Sequence, residues 1–307
     1  MPQRVAISGS TGFLGQTLVR HFQKQNAAIF RLVRPGTKLS VDDSCSLIHW
    51  DVDSPTIEAQ KLEGMDVVIH LAGASLAAQR WSEAYKHQML DSRIESTRLL
   101  AKTLAGLKRP PKIFFCASAV GFYGNHAPEK IIDESGPKGQ GFLADVCEQW
   151  EEETEAVKAV GIRVVHLRCG MILGRGGALA KMKLPFQMGL GGVLGSGRQM
   201  ISWIAADEIP LIIEHLLNTN ISGPVNCVCP EASSNRDFTR ALGHALRKPT
   251  VFPVPGFMVK LLFGEMGQTL LLDGVNVKPQ RLLEAGYQFR FVDIRKTLEM
   301  ILHKWGQ

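Results

Sequence analysis

Apolar residues fall in two rhythms through the first half of the chain. Short runs from Arg4 to Ser8, Ala28 to Val33, Ser46 to Trp50, Asp66 to Leu71, Lys112 to Ala117 and Arg163 to Arg168 predict strands. Between them, helical spacing predicts helices from Gly12 to Gln25, from Trp81 to Leu107 and from about Gly141 to Val160. Strand and helix alternating in this way argue for an α/β fold, a doubly wound parallel sheet of Rossmann type with helices on both faces.

After Gly170 the pattern changes. Gly174, Gly176, Gly177, Gly189, Gly191, Gly192, Gly195 and Gly197 punctuate a loop-rich stretch before helical spacing resumes near Asp207. The expected organisation is therefore a nucleotide-binding Rossmann domain over residues 1–170 and, over 171–307, mainly a smaller α+β lobe for the substrate. Beyond the prolines at 249, 253 and 255, a C-terminal helical extension is expected at about 250–300.

A chain of 307 residues, 45% hydrophobic, can bury one large core with an appended lobe. No run approaches the roughly 18 to 20 apolar residues of a membrane span. Met1 to Arg4 lead straight into a strand-like segment, so the expectation is a cytoplasmic protein with no membrane partner. The six cysteines are scattered without a C-x-x-C, which suits reduced core thiols and suggests no metal site. The net charge of +6 is spread along the chain without a basic block. That distribution argues against nucleic acid as a partner and fits a phosphate-bearing ligand better. The long helical segments could pair across a dimer, so both a monomer and a homodimer stay open.

The sharpest local signal is Val5-Ala6-Ile7-Ser8-Gly9-Ser10-Thr11-Gly12-Phe13-Leu14-Gly15, a strand entering a G-x-x-G-x-x-G turn that opens a helix. Such a turn lets backbone approach a pyrophosphate and aims a helix N-terminus at its charge, so residues 9–15 are assigned to a dinucleotide. Past the second strand, where an NAD site usually offers a carboxylate to the ribose, this chain has Arg34. Its fork of donors suits a 2′-phosphate, so the cofactor expected is NADP(H). The plainer alternative for Arg34 is a solvated loop charge.

With Leu71-Ala72-Gly73, Asp91-Ser92-Arg93, Ala117-Ser118-Ala119-Val120-Gly121-Phe122-Tyr123-Gly124, Cys147-Glu148-Gln149-Trp150-Glu151 and the Gly195 to Arg198 loop, the chain resembles the extended, atypical short-chain dehydrogenase/reductases. Within them it is similar to the epimerase family proteins of the NAD-dependent epimerase/dehydratase type. The resemblance implies that Leu71, Ala72 and Gly73 pass along the cofactor ribose, that Gln88 and Arg93 face the cofactor, and that the loop at Gly170 flanks the nicotinamide. It also implies a small-molecule substrate, its identity open, held by the second lobe. Arg198 is a candidate anchor for an anionic group, with a solvated charge as the equal alternative, and Trp203 lies in the adjoining segment.

One departure outweighs these matches. The class carries Tyr about 25 residues after the strand-end serine and Lys four later, so that the lysine lowers the phenol pKa. Here Tyr85, Tyr123 and Tyr287 are followed at that spacing by Met89, Ala127 and Phe291. Catalysis then falls to Ser118, polarising a substrate oxygen, with Tyr123 as the available phenol. Two functions follow: an NADP(H)-dependent oxidoreductase or epimerase of unknown substrate, or a non-catalytic cofactor-sensing or regulatory protein that kept the nucleotide site.

Overall fold

In the computed structural model, which describes residues 3–37 and 45–305, all six expected strands lie side by side in one sheet. β1 (Arg4–Ser8), α1 (Phe13–Lys24), β2 (Ala28–Val33) and β3 (Ser46–Asp51) form the first half, ending in the short β4 (Thr56–Ile57). β5 (Val67–His70), α2 (Glu83–Ala105) and β6 (Ile113–Ala119) follow, then the two-residue β7 (Ile131–Ile132), α3 (Phe142–Glu152), α4 (Glu155–Ala159) and β8 (Arg163–Cys169). The expected helix from Gly141 to Val160 is thus two. At the break Thr154 is buried, its hydroxyl donating to the Glu151 carbonyl at 2.7 Å and lying 2.9 Å from His166 Nε2. A side chain drawn inward in this way competes with the helical backbone.

The second half contains β9 (Met171–Leu173), α5 (Gly177–Gln187), β10 (Met200–Ile201), β11 (Trp203–Ala205) and α6 (Ile209–Leu217). It continues with β12 (Gly223–Cys227), β13 (Ser233–Ser234), α7 (Asn235–Leu246), α8 (Gly256–Gly267), β14 (Asn276–Val277), α9 (Gln280–Glu284) and α10 (Ile294–Trp305). The main sheet runs β12-β8-β6-β5-β1-β2-β3-β4, parallel except for β4. The order reverses between β1 and β5, and the crevice beyond the strand ends at such a reversal is where this architecture takes its ligand.

The chain after Gly170 is shared between the smaller lobe and the main sheet. β12 returns to the sheet and pairs with β8 from Gly223↔Val165 to Cys227↔Cys169. α6 joins the same core, where Ile209, Ile212, Ile213 and Leu216 pack with Leu18 and Phe22 of α1. The opposite face carries α2 and α4, with Leu100, Leu104 and Val157 packed on Ala6, Val68 and Phe114. Each central strand thus feeds two cores, which is why these runs are apolar at consecutive positions.

The smaller lobe has its own core of Leu173, Leu179, Trp203, Phe238, Leu242 and Leu298. Glu208, fully buried, ties the C-terminal segment down by accepting from the Tyr287 hydroxyl at 2.5 Å and the Phe291 N–H at 2.9 Å. A carboxylate is tolerated there because its oxygens are hydrogen-bonded. Among the described residues, no helix is long and apolar enough to cross a membrane.

Candidate active site

The glycine loop takes its shape from close approaches. At Gly9 the chain turns with φ 65°, and a Cβ there would come within 2.7 Å of the Leu71 carbonyl carbon. At Gly15 a Cβ would sit 2.3 Å from the Gly9 carbonyl oxygen. These two positions let loop, helix and β5 close on one another as only glycine permits. Gly12 starts α1 with no side-chain cap, and the first turn holds no acid. The N–H groups of Phe13, Leu14 and Gly15 therefore lack intrahelical acceptors and form a ready anion site.

Arg31 is a contributor that the sequence reading missed. From β2 its side chain crosses under the loop, Nε 3.1 Å from Ser10 Oγ and Nη2 3.2 Å from the Ser10 carbonyl oxygen. An arginine inside an otherwise apolar buried strand was the available signal, because a buried cation must find partners. Ser10 is buried, while Thr11 and Gly12 stand exposed at the crest of the turn. The Phe13 ring lies against Gly174 and Gly176, and Leu14 packs on the main core. Phe13 also lines a cleft of about 550 Å³ that includes Arg20 and Arg175, which places positive charge on that side of α1.

Arg34 opens the turn after β2, its carbonyl accepting from the Thr37 N–H at 3.1 Å and hydroxyl at 2.7 Å. Its side chain is exposed, and its charge is among the groups that hold the Asp51 carboxyl below its usual range. The fork stays available to a phosphate at the cofactor-binding edge of the sheet.

Opposite the loop, Leu71, Ala72 and Gly73 leave the end of β5. The Leu71 N–H donates to Ser8 Oγ at 3.1 Å, and that oxygen lies 2.6 Å from His70 Nδ1. Thr97 Oγ1, 3.0 Å from His70 Nε2, also accepts from the Trp150 indole at 2.9 Å. Complete burial pushes the His70 pKa down to about 3, so the ring is neutral.

Arg93, expected to face the cofactor, is instead buried behind this wall. It donates to the Met89 carbonyl at 2.8 Å and the Ala74 carbonyl at 3.0 Å, with its guanidinium 5.1 Å from the Trp150 ring centroid. It positions the 71–74 segment from below Gly73. Gln88 is exposed on α2.

The crevice floor at the end of β6 differs most from expectation. On α3, Leu143, Cys147 and Glu151 recur four apart. Leu143 packs against Gly121, and the Cys147 thiol donates to the Ala119 carbonyl at 3.7 Å. Leu143 and Cys147 stand at the spacing from Ser118 at which the resemblance would place Tyr and Lys. Burial pushes the Cys147 thiol up to about 11, so it supplies no thiolate near neutral pH.

Ser118 is buried and donates to Glu151 Oε1 at 2.6 Å. Arg168 grips the same carboxylate with Nε and Nη2, both at 2.8 Å, and donates through Nη1 to the Tyr123 hydroxyl at 3.0 Å. Burial alone would raise Glu151, but the Arg168 fork, neighbouring His166 and the Ser118 hydroxyl outweigh it and hold the carboxyl below its usual range. Glu151 is accordingly a weak base.

Tyr123 is corrected as a proton donor. It is fully buried, its hydroxyl donates to Asn226 Oδ1 at 2.8 Å, and burial raises its pKa, the reverse of an activated phenol. Trp203 is corrected as a substrate contact, since it is fully buried in the lobe core and donates to Ser233 Oγ at 3.2 Å. Arg198 is exposed but paired with Glu129 at 2.7 Å, so its charge is already answered. Gly170 marks the crossing from β8 to β9, its N–H donating to the Cys227 carbonyl at 3.2 Å.

A reversed strand order, an uncapped helix behind a glycine turn and an arginine after β2 define a Rossmann dinucleotide-binding protein. Residues 5–226 match the NAD dependent epimerase/dehydratase family, and the chain belongs to it. Residues 254–301, from just before α8 into α10, match a separate domain of unknown function. An epimerase family protein of Mycobacterium tuberculosis is 37% identical over 296 residues, covering 96% of each chain. The crystal structure of human epimerase family protein SDR39U1 (isoform 2) with NADPH superposes with a TM-score of 0.85 at 31% identity, covering 98% of this chain and 99% of that one. A nucleoside-diphosphate sugar epimerase from Corynebacterium glutamicum gives 0.78 at 29%, covering 98% of this chain and 58% of its own.

Proposed function

We propose that the protein is an NADP(H)-dependent oxidoreductase acting on a small molecule admitted between the strand ends and the smaller lobe. The cofactor supplies a hydride. The chain contributes the uncapped N-terminus of α1 for the pyrophosphate, Arg34 for the 2′-phosphate and the Leu71 to Gly73 segment for the ribose. The carrying observation is the exposed Arg34 just after β2, and the NADPH of the human relative agrees with it.

Hydride transfer needs a proton alongside it: reduction must protonate the new alkoxide and oxidation must take the proton of a hydroxyl, and Leu143 and Cys147, at the spacing of the class's Tyr and Lys, serve for neither. In a reduction the balancing proton would come from solvent. Ser118 and Tyr123 are committed to Glu151, Arg168 and Asn226. The same saturation supports a second reading, a cofactor-responsive protein without turnover.

Two measurements on the purified protein test this. Thermal shift with NADPH and NADH reads cofactor choice, because a ligand bound only to the folded state stabilises it according to its affinity. NADPH should stabilise far more than NADH, and Arg34→Ala should reduce NADPH affinity by roughly 10- to 100-fold, the worth of a charge-assisted bond. Equal shifts with both cofactors would remove the role of Arg34. Loss of nicotinamide absorbance across a panel of carbonyl compounds then separates the two readings, since the second predicts binding without oxidation.

A further inference from the structure

Among the described residues, nothing packs on the outer face of α8. Val259 and Gly267 are buried, whereas Phe257 and Leu261, one turn apart, are 70% and 74% exposed. The surface continues beyond the helix. The Val254 N–H donates to the Val193 carbonyl at 2.8 Å and the Gly195 N–H to the Val254 carbonyl at 2.9 Å, so the segment before α8 runs beside the one after α5. Exposed Phe252 and Leu190 lie on these two segments, with Leu184 at the end of α5. Ten of the thirteen large apolar side chains exposed among the described residues fall within residues 177–200 and 247–264. Scattered exposed apolar residues need no explanation, but such concentration on adjoining segments marks an interaction surface.

Charge identifies the partner. The two segments carry Lys181, Lys183, Arg198, Arg247, Lys248 and Lys260 and not one Asp or Glu, although the chain holds 29 acidic residues. Of the carboxylates nearby, Glu129 pairs with Arg198 of this set at 2.7 Å and Glu265 with Lys86 at 3.1 Å. A second copy docked face to face would set Lys181, Arg247, Lys248 and Lys260 against themselves, and neither segment supplies an Asp or Glu to answer them. An apolar face whose two segments carry lysine and arginine in excess over acid matches the headgroup and acyl boundary of an anionic bilayer, where long cationic side chains reach the phosphates while aromatic and aliphatic groups insert.

We infer that the face formed by α8 and the end of α5 docks on an anionic phospholipid surface. This differs from the membrane-free expectation of the sequence, which considered spanning runs; interfacial docking requires none. Gly264, with φ 61°, breaks the helix so that its first two turns depart from the part anchored through Glu265 to Lys86.

The test is flotation of the full chain with vesicles of phosphatidylcholine alone or mixed with phosphatidylglycerol. Association with the mixed vesicles should be about tenfold stronger or more and should weaken as salt rises. Phe257→Asp with Leu261→Asp should abolish it, and Lys248→Glu with Lys260→Glu should reduce it at low salt. All four side chains are exposed, so unchanged melting temperatures are expected and show that the variants fold. No flotation with the mixed vesicles, or flotation indifferent to both double variants, overturns the proposal. A dimer in light scattering that Phe257→Asp with Leu261→Asp converts to monomer also overturns it, assigning the face to a second copy.

Discussion

Arg168 holds both oxygens of Glu151 at 2.8 Å beneath the end of β6, and the Ser118 hydroxyl is turned down onto that same carboxylate. Ser118, expected from the sequence to polarise a substrate oxygen, is part of a buried ion-pair network that joins α3, β6 and β8. Removing one member of such a pair strands the other charge away from water. Arg168→Met is therefore expected to destabilise the protein by roughly 3 kcal/mol or more, read from urea unfolding, with the folded fraction still binding NADPH.

Tyr123→Phe separates a structural from a catalytic phenol. The substitution leaves Asn226 Oδ1 without its donor in a fully buried site, which costs about 1–3 kcal/mol. The prediction is lower stability with unchanged NADPH affinity. Where a substrate is found, kcat at a temperature well below the melting transition should stay within about twofold of wild type, whereas loss of a true general acid costs on the order of a hundredfold or more.

Two arginines three positions apart on β2 and the turn after it should fail differently. Arg34 faces solvent, so Arg34→Ala should weaken NADPH and spare NADH. Arg31 buttresses Ser10 from below, so Arg31→Met should loosen the loop and weaken both cofactors alike. Calorimetric titration with each nucleotide distinguishes a lost phosphate contact from a distorted cradle, and a selective effect of Arg31→Met would reassign it to the 2′-phosphate.

Gly15→Ala introduces a Cβ 2.3 Å from the Gly9 carbonyl oxygen, a backbone atom that cannot swing aside. The turn or the start of α1 must shift, which moves the N–H groups that meet the pyrophosphate. Affinity for NADPH and NADH should fall together by about tenfold or more, because both place a pyrophosphate at this turn. Unchanged binding would show that the nucleotide enters elsewhere.

Acid should weaken the fold before the carboxylates titrate. Burial depresses His70 to about 3 and, with Glu151 opposing, His166 to about 4, against 6.5 in the unfolded chain. Between those values the unfolded chain binds protons that the folded one does not, so stability rises with pH. It is lost as pH falls from about 6.5, by up to about 1.4 kcal/mol per unit for each ring. Urea midpoints measured from about pH 7.5 down to about 5, above the usual carboxylate range, should decline, and His70→Asn should make that decline shallower. An unchanged slope would contradict the burial of His70.

The sequence by itself determined what depends on neighbours along the chain. The glycine turn between β1 and α1, the six apolar strands and Arg34 after β2 are legible because strand and helix periods and close backbone approach are written within a few residues. The lack of Tyr and Lys at the class's spacing is legible for the same reason. Tertiary structure decided the rest. β12 is five residues with no pattern of its own, and only pairing with β8 makes it a strand of the main sheet. Tyr123 and Trp203 read equally well as site or core until Asn226 and Ser233 are found beside them. Arg198 reads as a free anchor until Glu129, distant in sequence, meets it. An apolar helix is likewise expected to be buried, and α8 stays exposed because no other element of the described chain covers its outer face. Which polar group is satisfied, and which apolar face is left over, is a matter of contacts between distant residues, and those exist only once the chain has folded.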